Sequence, residues 1–263
     1  MKSEEQDFNP FDDFSSDEEI LNNERRTQMQ STMESKLEKL ANDPVERTMQ
    51  ENRLVFNHRR LGAFQVPQKI QQLFSREECN AILEQCRAIR NEWTTARHSA
   101  FPTTDIPIRK EEDEDVVNNN NNKLGYLIDR LHERLFPQLA SYYGFHPTRD
   151  LDFRDIFIVK YASDAQRGLK LHTDGCLMSF NVLISHQDDF QGGGTYFESI
   201  DKDVQLVQGD CVFHDARIMH RGIDITQGER YILVGFVDTV DTVIKDKRAA
   251  MLTGNKKHLR NNE

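Results

Sequence analysis

Apolar positions change period part-way along this 263-residue chain. Met29, Met33, Leu37 and Leu40 recur at helical spacing, which predicts an amphipathic helix over residues 27–41. Asp43-Pro44 then offers an acidic cap before a proline suited to the first helical position. It predicts a second helix, with Val45, Met49 and Leu54 on its stripe. Ser75-Arg76-Glu77-Glu78 forms a capping box with Phe74 placed to staple against Cys79, and Ile82, Leu83, Cys86 and Ile89 continue the buried face. Residues 103–108 read as a short strand that Pro107 confines to a sheet edge. Leu124, Leu127, Ile128, Leu131 and Leu135 predict a further helix, ended or kinked at Phe136-Pro137. From Asp152 onward short extended segments recur, at 153–161, 168–173, 179–185, 194–199, 204–207, 211–214, 218–223 and 230–237. Eight short strands separated by turns predict a closed or double-sheet β architecture flanked by helices. Gly192-Gly193-Gly194 lacks the Lys-Ser/Thr and the following helix of a phosphate loop, so it reads as a turn.

Candidate chemistry enters at Leu171-His172-Thr173-Asp174. If 168–173 is extended, His172 and Asp174 project to one side and supply two metal ligands. A distal histidine, His220, would complete a set of two imidazoles and one carboxylate, leaving positions open on the metal. The apolar run around His220, the turn-like Thr226-Gln227-Gly228-Glu229 and the strand from Arg230 predict a hairpin that sets His220 opposite Arg230, Cβ atoms roughly 5 Å apart. A guanidinium there would clamp a carboxylate held at the metal. His214, at even spacing on the preceding run, is an alternative distal ligand. His186-Gln187-Asp188 repeats the H-x-D pattern, but in a polar turn without strand parity, and is set aside.

Charge is unevenly spread. Residues 1–24 hold nine acids against Lys2, −8 of the net −10, leaving a nearly neutral body with no basic stripe evident near the site. No nucleic-acid partner is therefore expected. The acidic stretch 1–26, poor in aliphatics, predicts disorder, and Asn9-Pro10-Phe11-Asp12-Asp13 suggests an adaptor contact. Ser15-Ser16-Asp17-Glu18-Glu19 suits an acid-directed kinase. Residues 110–123, with five acids and five Asn, predict a flexible loop whose acidic part would draw a basic peptide if it overhangs the site. After Asp238 the chain turns basic. No stretch is apolar enough for a membrane span and no secretory leader is evident, so a cytoplasmic protein with four reduced cysteines is expected.

The span 156–238 resembles the Fe(II)/2-oxoglutarate dioxygenases of the prolyl 4-hydroxylase and procollagen lysyl hydroxylase type. The likeness rests on Leu171-His172-Thr173-Asp174, on Ser179-Phe180-Asn181-Val182-Leu183-Ile184-Ser185, on Asp189-Phe190-Gln191-Gly192-Gly193-Gly194-Thr195-Tyr196-Phe197, and on His220-Arg221-Gly222-Ile223 with the run from Gly228 to Asp238. Asn181, nine residues after His172, and Arg rather than the Lys typical of prolyl 4-hydroxylases at 230 bring it nearer the lysyl type. Residues 66–155 match in outline only and residues 1–60 not at all. The resemblance implies a double-stranded β-helix, or jelly roll, mainly β with flanking helices. It implies His172, Asp174 and His220 as iron ligands, 2-oxoglutarate with its distal carboxylate on Arg230, Tyr161 and Asn181 as further co-substrate contacts, O2 as oxidant and ascorbate as reductant. The expected organisation is an acidic tail at 1–26, a helical appendage at 27–64, a dioxygenase domain at 65–240 with its core at 152–238, and a basic tail at 241–263. The expected reaction is hydroxylation of a prolyl or lysyl residue of an intracellular protein. The alternatives are a scaffold that keeps the site but not the activity, a dioxygenase acting on a nucleic acid or small metabolite, and a zinc hydrolase, which would have no use for Arg230.

Overall fold

A computed structural model describes the backbone of residues 16–60, 62–89, 92–98, 100–109 and 124–260, and side chains from 21 to 252 within them. The loop expected at 110–123, the motif at 9–13 and the side chains of 15–19 lie outside the described residues.

Helix α1 (Ser16–Leu37) takes in residues 16–26, where disorder was expected. Helix formers such as Glu18, Glu19, Leu21, Glu24 and Arg25 carry the helix back from the amphipathic stretch. It stands clear of the body, with Met29 74% exposed. The second helix does not start at Asp43-Pro44: Asp43 Oδ1 instead accepts from the Val45 N–H at 2.9 Å, closing a local turn. Helix α2 (Met49–Arg59) begins after Thr48, whose side chain and that of Glu51 make a reciprocal capping box. Its buried face is Asn52 and Phe56, not the expected stripe. Phe56 is fully buried, its ring 5.4–5.6 Å from those of Phe64, Tyr143 and Phe145. Asn52 Nδ2 donates to Asp150 Oδ2 at 2.6 Å, and Arg60 grips Asp215 with two bonds, 2.9 and 2.5 Å. We expect Phe56→Ala to cost ~3–5 kcal/mol in urea unfolding, the range for an aromatic removed from a packed core; a surface-like loss under 1 kcal/mol would detach α2 from the fold.

Strand β1 (Gln68–Ile70) leads to α3 (Arg76–Ala88), where Ser75 and Glu78 make the expected capping box. Strand β2 (Asp105–Pro107) is at a sheet edge, as Pro107 requires. The next helical stripe divides into α4 (Tyr126–Arg134) and α5 (Phe136–Tyr143), because Pro137 opens a new first turn. The β region comprises β3 (Leu151–Ala162), β4 (Met178–Leu183), β5 (Phe190–Gly192), β6 (Thr195–Phe197), β7 (Lys202–Val204), β8 (Cys211–Asp215), β9 (His220–Gly222) and β10 (Ile225–Thr239). The chain past Asp238 continues into α6 (Val240–Arg260), which buries Val243 and ties Asp246 to Arg154 at 2.6 Å.

The larger sheet runs β1-β8-β4-β10-β3-β2, with β5 also on β10; the smaller runs β7-β6-β9; all pairings are antiparallel. This is the mainly β core with flanking helices of a jelly roll. Alternation along β10 sorts its faces: Tyr231, Leu233 and Val237 join the core under the helices, while Arg230, Ile232, Val234 and Phe236 face a cavity between the sheets.

Two local expectations fail. Thr226-Gln227-Gly228-Glu229 is not a turn but part of β10, so His220 pairs with Phe197 and Arg230 with Tyr161, and the two do not face one another. Gly228 carries the turn signal for another reason: at φ +75° it lets the strand pass Asp189, whose carbonyl oxygen would collide with a Cβ. Residues 168–173 form no strand and make one isolated bridge, His172 to His220. Gly168 presses against Gly222, a Cβ there falling 2.6 Å from the Gly222 carbonyl oxygen, which leaves no room for a regular ladder.

Candidate active site

The bridge between His172 and His220 exchanges two backbone hydrogen bonds of 2.9 Å, so two imidazoles 48 positions apart are held side by side, ring centroids 4.4 Å apart. Each ring meets the carbonyl oxygen two residues before it through Nδ1, His172 with Lys170 at 2.7 Å and His220 with Ile218 at 2.9 Å. With Nδ1–H donating, both Nε2 lone pairs are directed at the same target. That target region holds Asp174, its backbone N–H donated to Ala216 O: Oδ1 lies 3.4 Å from His172 Nε2 and Oδ2 3.5 Å from His220 Nε2. Ligand atoms of His172, Asp174 and His220 all fall within 4.8 Å of one another. Two imidazoles and one carboxylate suit a divalent first-row metal and leave coordination positions free.

Burial pushes the Asp174 carboxyl up, but the hydrogen bond from His172 and the nearby His220 and His214 outweigh it and hold the group at about 2. Burial pushes His220 down to about 3, with His214 adding to the effect. Burial also lowers His172, yet the hydrogen bond to Asp174 leaves it above its ordinary value. His214 is fully buried, 4.4 Å from His220 in ring centroids, and lowered by that burial. It lines the cavity beside the cluster but is not one of the three convergent residues.

The cavity encloses about 440 Å3. One part contains Arg230 and Tyr161, partners on β10 and β3. Arg230 is 2% exposed, its Nη1 has no hydrogen-bond partner, and its guanidinium lies 5.8 Å from the Tyr161 ring centre and 5.9 Å from that of Phe190. Burial lowers Arg230, while it raises the Tyr161 phenol to about 12 and keeps it protonated. Asn181 Oδ1 is likewise buried without a partner. The orphaned Arg230 donor fits an anionic guest, while the Asn181 oxygen calls for a donor on whatever fills the cavity. Elsewhere the wall is aromatic, with Phe101 stacked on His172 at 4.8 Å and Phe157 edge-on to Phe236 at 5.4 Å.

No family model matches the chain. Among curated proteins it is similar to the multifunctional procollagen lysine hydroxylase and glycosyltransferase LH3 of Rattus norvegicus, 28% identical over 179 residues covering 63% of this chain and 22% of that protein. It is also similar to procollagen-lysine,2-oxoglutarate 5-dioxygenase 2 of Homo sapiens, 25% identical over 179 residues, 63% of this chain and 23% of that one. The relatives it matches are named as procollagen lysine hydroxylases. The chain spans about a fifth of the length of the curated relatives it matches. Among solved structures, the chain matches the 2OG-Fe(II) oxygenase family oxidoreductase from Burkholderia pseudomallei at TM-score 0.49 and 15% identity, covering 73% of this chain and 91% of that one.

All six residues singled out in the sequence, His172, Asp174, His220, Arg230, Tyr161 and Asn181, line the one cavity. The repeated H-x-D motif does not: His186 and Asp188 sit on a short 3-10 turn, Asp188 side chain 90% exposed. We expect His186→Ala and Asp188→Ala to retain turnover within about twofold, since surface changes of this kind fall within ±0.5 kcal/mol; a loss resembling that of Asp174→Ala would reinstate the second motif. Trp93 packs edge-on to Tyr231 and is absent from the cavity lining. Sequence reading missed a basic cluster beside the site: Arg167, Lys170 and Arg221 line a groove on the other side of the His172–His220 ribbon. They are dispersed in sequence and brought together by the bridge, so no charge run signalled them. None of the described helices is long and apolar enough to cross a membrane.

Proposed function

We propose that this chain is an Fe(II)- and 2-oxoglutarate-dependent dioxygenase that hydroxylates a prolyl or lysyl side chain of a protein. The observation that carries the reading is the convergence of the His172, Asp174 and His220 donors in the same cavity as a buried, unpartnered guanidinium. Bound there, ferrous iron would supply activation of O2, one oxygen atom going to the substrate C–H as a hydroxyl and the other to succinate as 2-oxoglutarate loses CO2. His172 Nε2, His220 Nε2 and an Asp174 oxygen would hold the ion. Arg230 would bind the distal carboxylate of 2-oxoglutarate, with Tyr161 beside it as a neutral phenol and Asn181 as a further polar contact. Phe157, Ile232, Val234 and Phe236 exclude water from the space where the substrate side chain would sit.

Among the described residues, Asp174 is the one carboxylate lining the cavity, and it belongs to the proposed ion site. A lysyl ammonium would therefore enter an aromatic space without an acid to receive it, which favours a prolyl ring over the lysyl side chain that Arg230 and Asn181 suggest by resemblance. Ascorbate belongs to this reading through the resemblance alone. A reducing, intracellular setting belongs to it as well, supported by four free thiols, three of them buried.

The test is succinate release under oxygen from the iron-loaded chain, with and without ascorbate, in the presence of prolyl peptides, lysyl peptides, free amino acids or single-stranded nucleic acid. Peptide-stimulated release supports the proposal. Metal binding without any succinate would leave a scaffold, and stimulation by nucleic acid alone would replace the substrate class.

A further inference from the structure

The ribbon of residues 169–172 against 220–222 is a partition one backbone thick. Its inner face carries His172 and His220, while Leu169 and Gly222 line both the cavity and a groove on the outer side. Leu169 N donates to Gly222 O at 3.0 Å, and a Cβ on Gly222 would sit 3.0 Å from the Tyr161 hydroxyl, so the partition is tightly packed.

The outer groove is lined by Arg167, Lys170 and Arg221 against one acid, Asp224. Arg167 faces Asp224 at 3.6 Å with both side chains more than half exposed, so their mutual neutralisation is weak. Among the described residues, neither Lys170 nor Arg221 has a carboxylate within 4.0 Å. Arg221 is held in place by stacking over Tyr196, 5.2 Å from its ring centre, and Tyr196 in turn donates to Asp201 at 2.8 Å. The result is a supported, net cationic groove next to the proposed reaction site, on a chain whose formal net charge is −10.

We infer that this groove docks an acidic segment of the protein substrate, placing the residue to be hydroxylated in the cavity across the partition. The inference rests on the reading of the chain as a protein hydroxylase, and it reverses the sign expected from the acidic loop at 110–123. An extended peptide advances roughly 3.3 Å per residue, so acidic side chains three to five residues from the target would lie about 10–17 Å away along the chain, a reach suited to passing a partition one backbone thick. A polypeptide is favoured over a nucleic acid because the curated relatives are named as procollagen lysine hydroxylases.

The experiment compares three prolyl peptides of one length, carrying Asp-Glu, Lys-Lys or Ser-Ser three to five residues from the proline, on the full chain. Succinate release is read at 50 mM and 500 mM salt, alongside direct binding of the same fluorescently labelled peptides by anisotropy. The acidic peptide is expected to show a KM at least about tenfold below that of the basic one, with the advantage shrinking at high salt because screening shortens the reach of exposed charges to a few Å. In Arg167→Glu/Arg221→Glu the preference, normalised to the Ser-Ser peptide in the same variant, is expected to invert; Arg221→Gln is expected to weaken it without inversion. Equal KM values for acidic and basic peptides, or a preference untouched by Arg167→Glu/Arg221→Glu, would overturn the groove while leaving the hydroxylase reading intact. Absence of succinate with every peptide, but charge-selective binding in anisotropy, would do the reverse. A single-stranded oligonucleotide that displaces the acidic peptide at lower concentration than the peptide itself would assign the groove to nucleic acid and overturn the inference.

Discussion

Asp174→Ala is expected to fold and to release no succinate above background. The carboxylate lies between the two Nε2 atoms at 3.4 and 3.5 Å, so its removal leaves a two-nitrogen site without a charge to offset a divalent ion. Loss of a mere outer partner of a ligand costs about 10–100-fold in metal affinity or activity, and loss of a direct ligand should exceed that. The fold should survive because the His172–His220 backbone bridge remains, with some stability lost at neutral pH, since a carboxyl held at about 2 favours the folded state when ionised. Equilibrium dialysis against Co(II) or Fe(II) reads the ion directly, and urea unfolding reads the fold. An Asp174→Ala protein with parental turnover would remove this residue from the ion site.

Arg230→Met is expected to raise the KM for 2-oxoglutarate by about two to three and a half powers of ten, the scale of the ~3–5 kcal/mol that follows loss of one partner of a buried charge pair. The unliganded protein should respond in the opposite direction. There the guanidinium is 2% exposed with Nη1 unpartnered, a state that disfavours folding, so the methionine variant should unfold at a higher temperature than the parent. Adding 2-oxoglutarate to the iron-loaded protein should raise the parent's Tm further and that of the variant much less. An unaltered KM would place the anchor elsewhere, whatever the Tm shows.

How much of this was legible in the sequence differs from element to element. Strand existence was readable from β3 onward, because alternation in segments such as Phe153–Tyr161 and Arg230–Val237 reports sheet faces directly. Partnership was not. The turn-like Thr226-Gln227-Gly228-Glu229 suggested a local hairpin, whereas β10 instead finds partners 67 and 88 positions away, Ala162 with Glu229 and Leu151 with Thr239. Residue identity nevertheless picked out side chains that lie together: His172 and Asp174 are not on a strand, yet the single bridge to His220 brings the same atoms together. Chemistry constrains which side chains must meet more tightly than periodicity constrains how the backbone brings them there. Arg60 and Phe56 were illegible for a similar reason. Their partners, Asp215 and the ring cluster around Tyr143, lie far along the chain, so nothing in the local sequence pointed to them.

Strand β10 sits between β3 and β4 in the larger sheet, although both are made before it. On the ribosome, β3 and β4 must therefore wait with adjoining edges unsatisfied until β10 emerges and inserts between them. Long-range pairing of this kind slows folding and exposes strand edges to aggregation meanwhile. Arg230 arrives on that same inserted strand, so the proposed anion anchor and the closure of the sheet appear in one step. A nascent chain stalled before Arg230 would have made all three metal-ligand candidates without the strand that closes the sheet around them, which makes chaperone dependence during synthesis an expected property of this architecture.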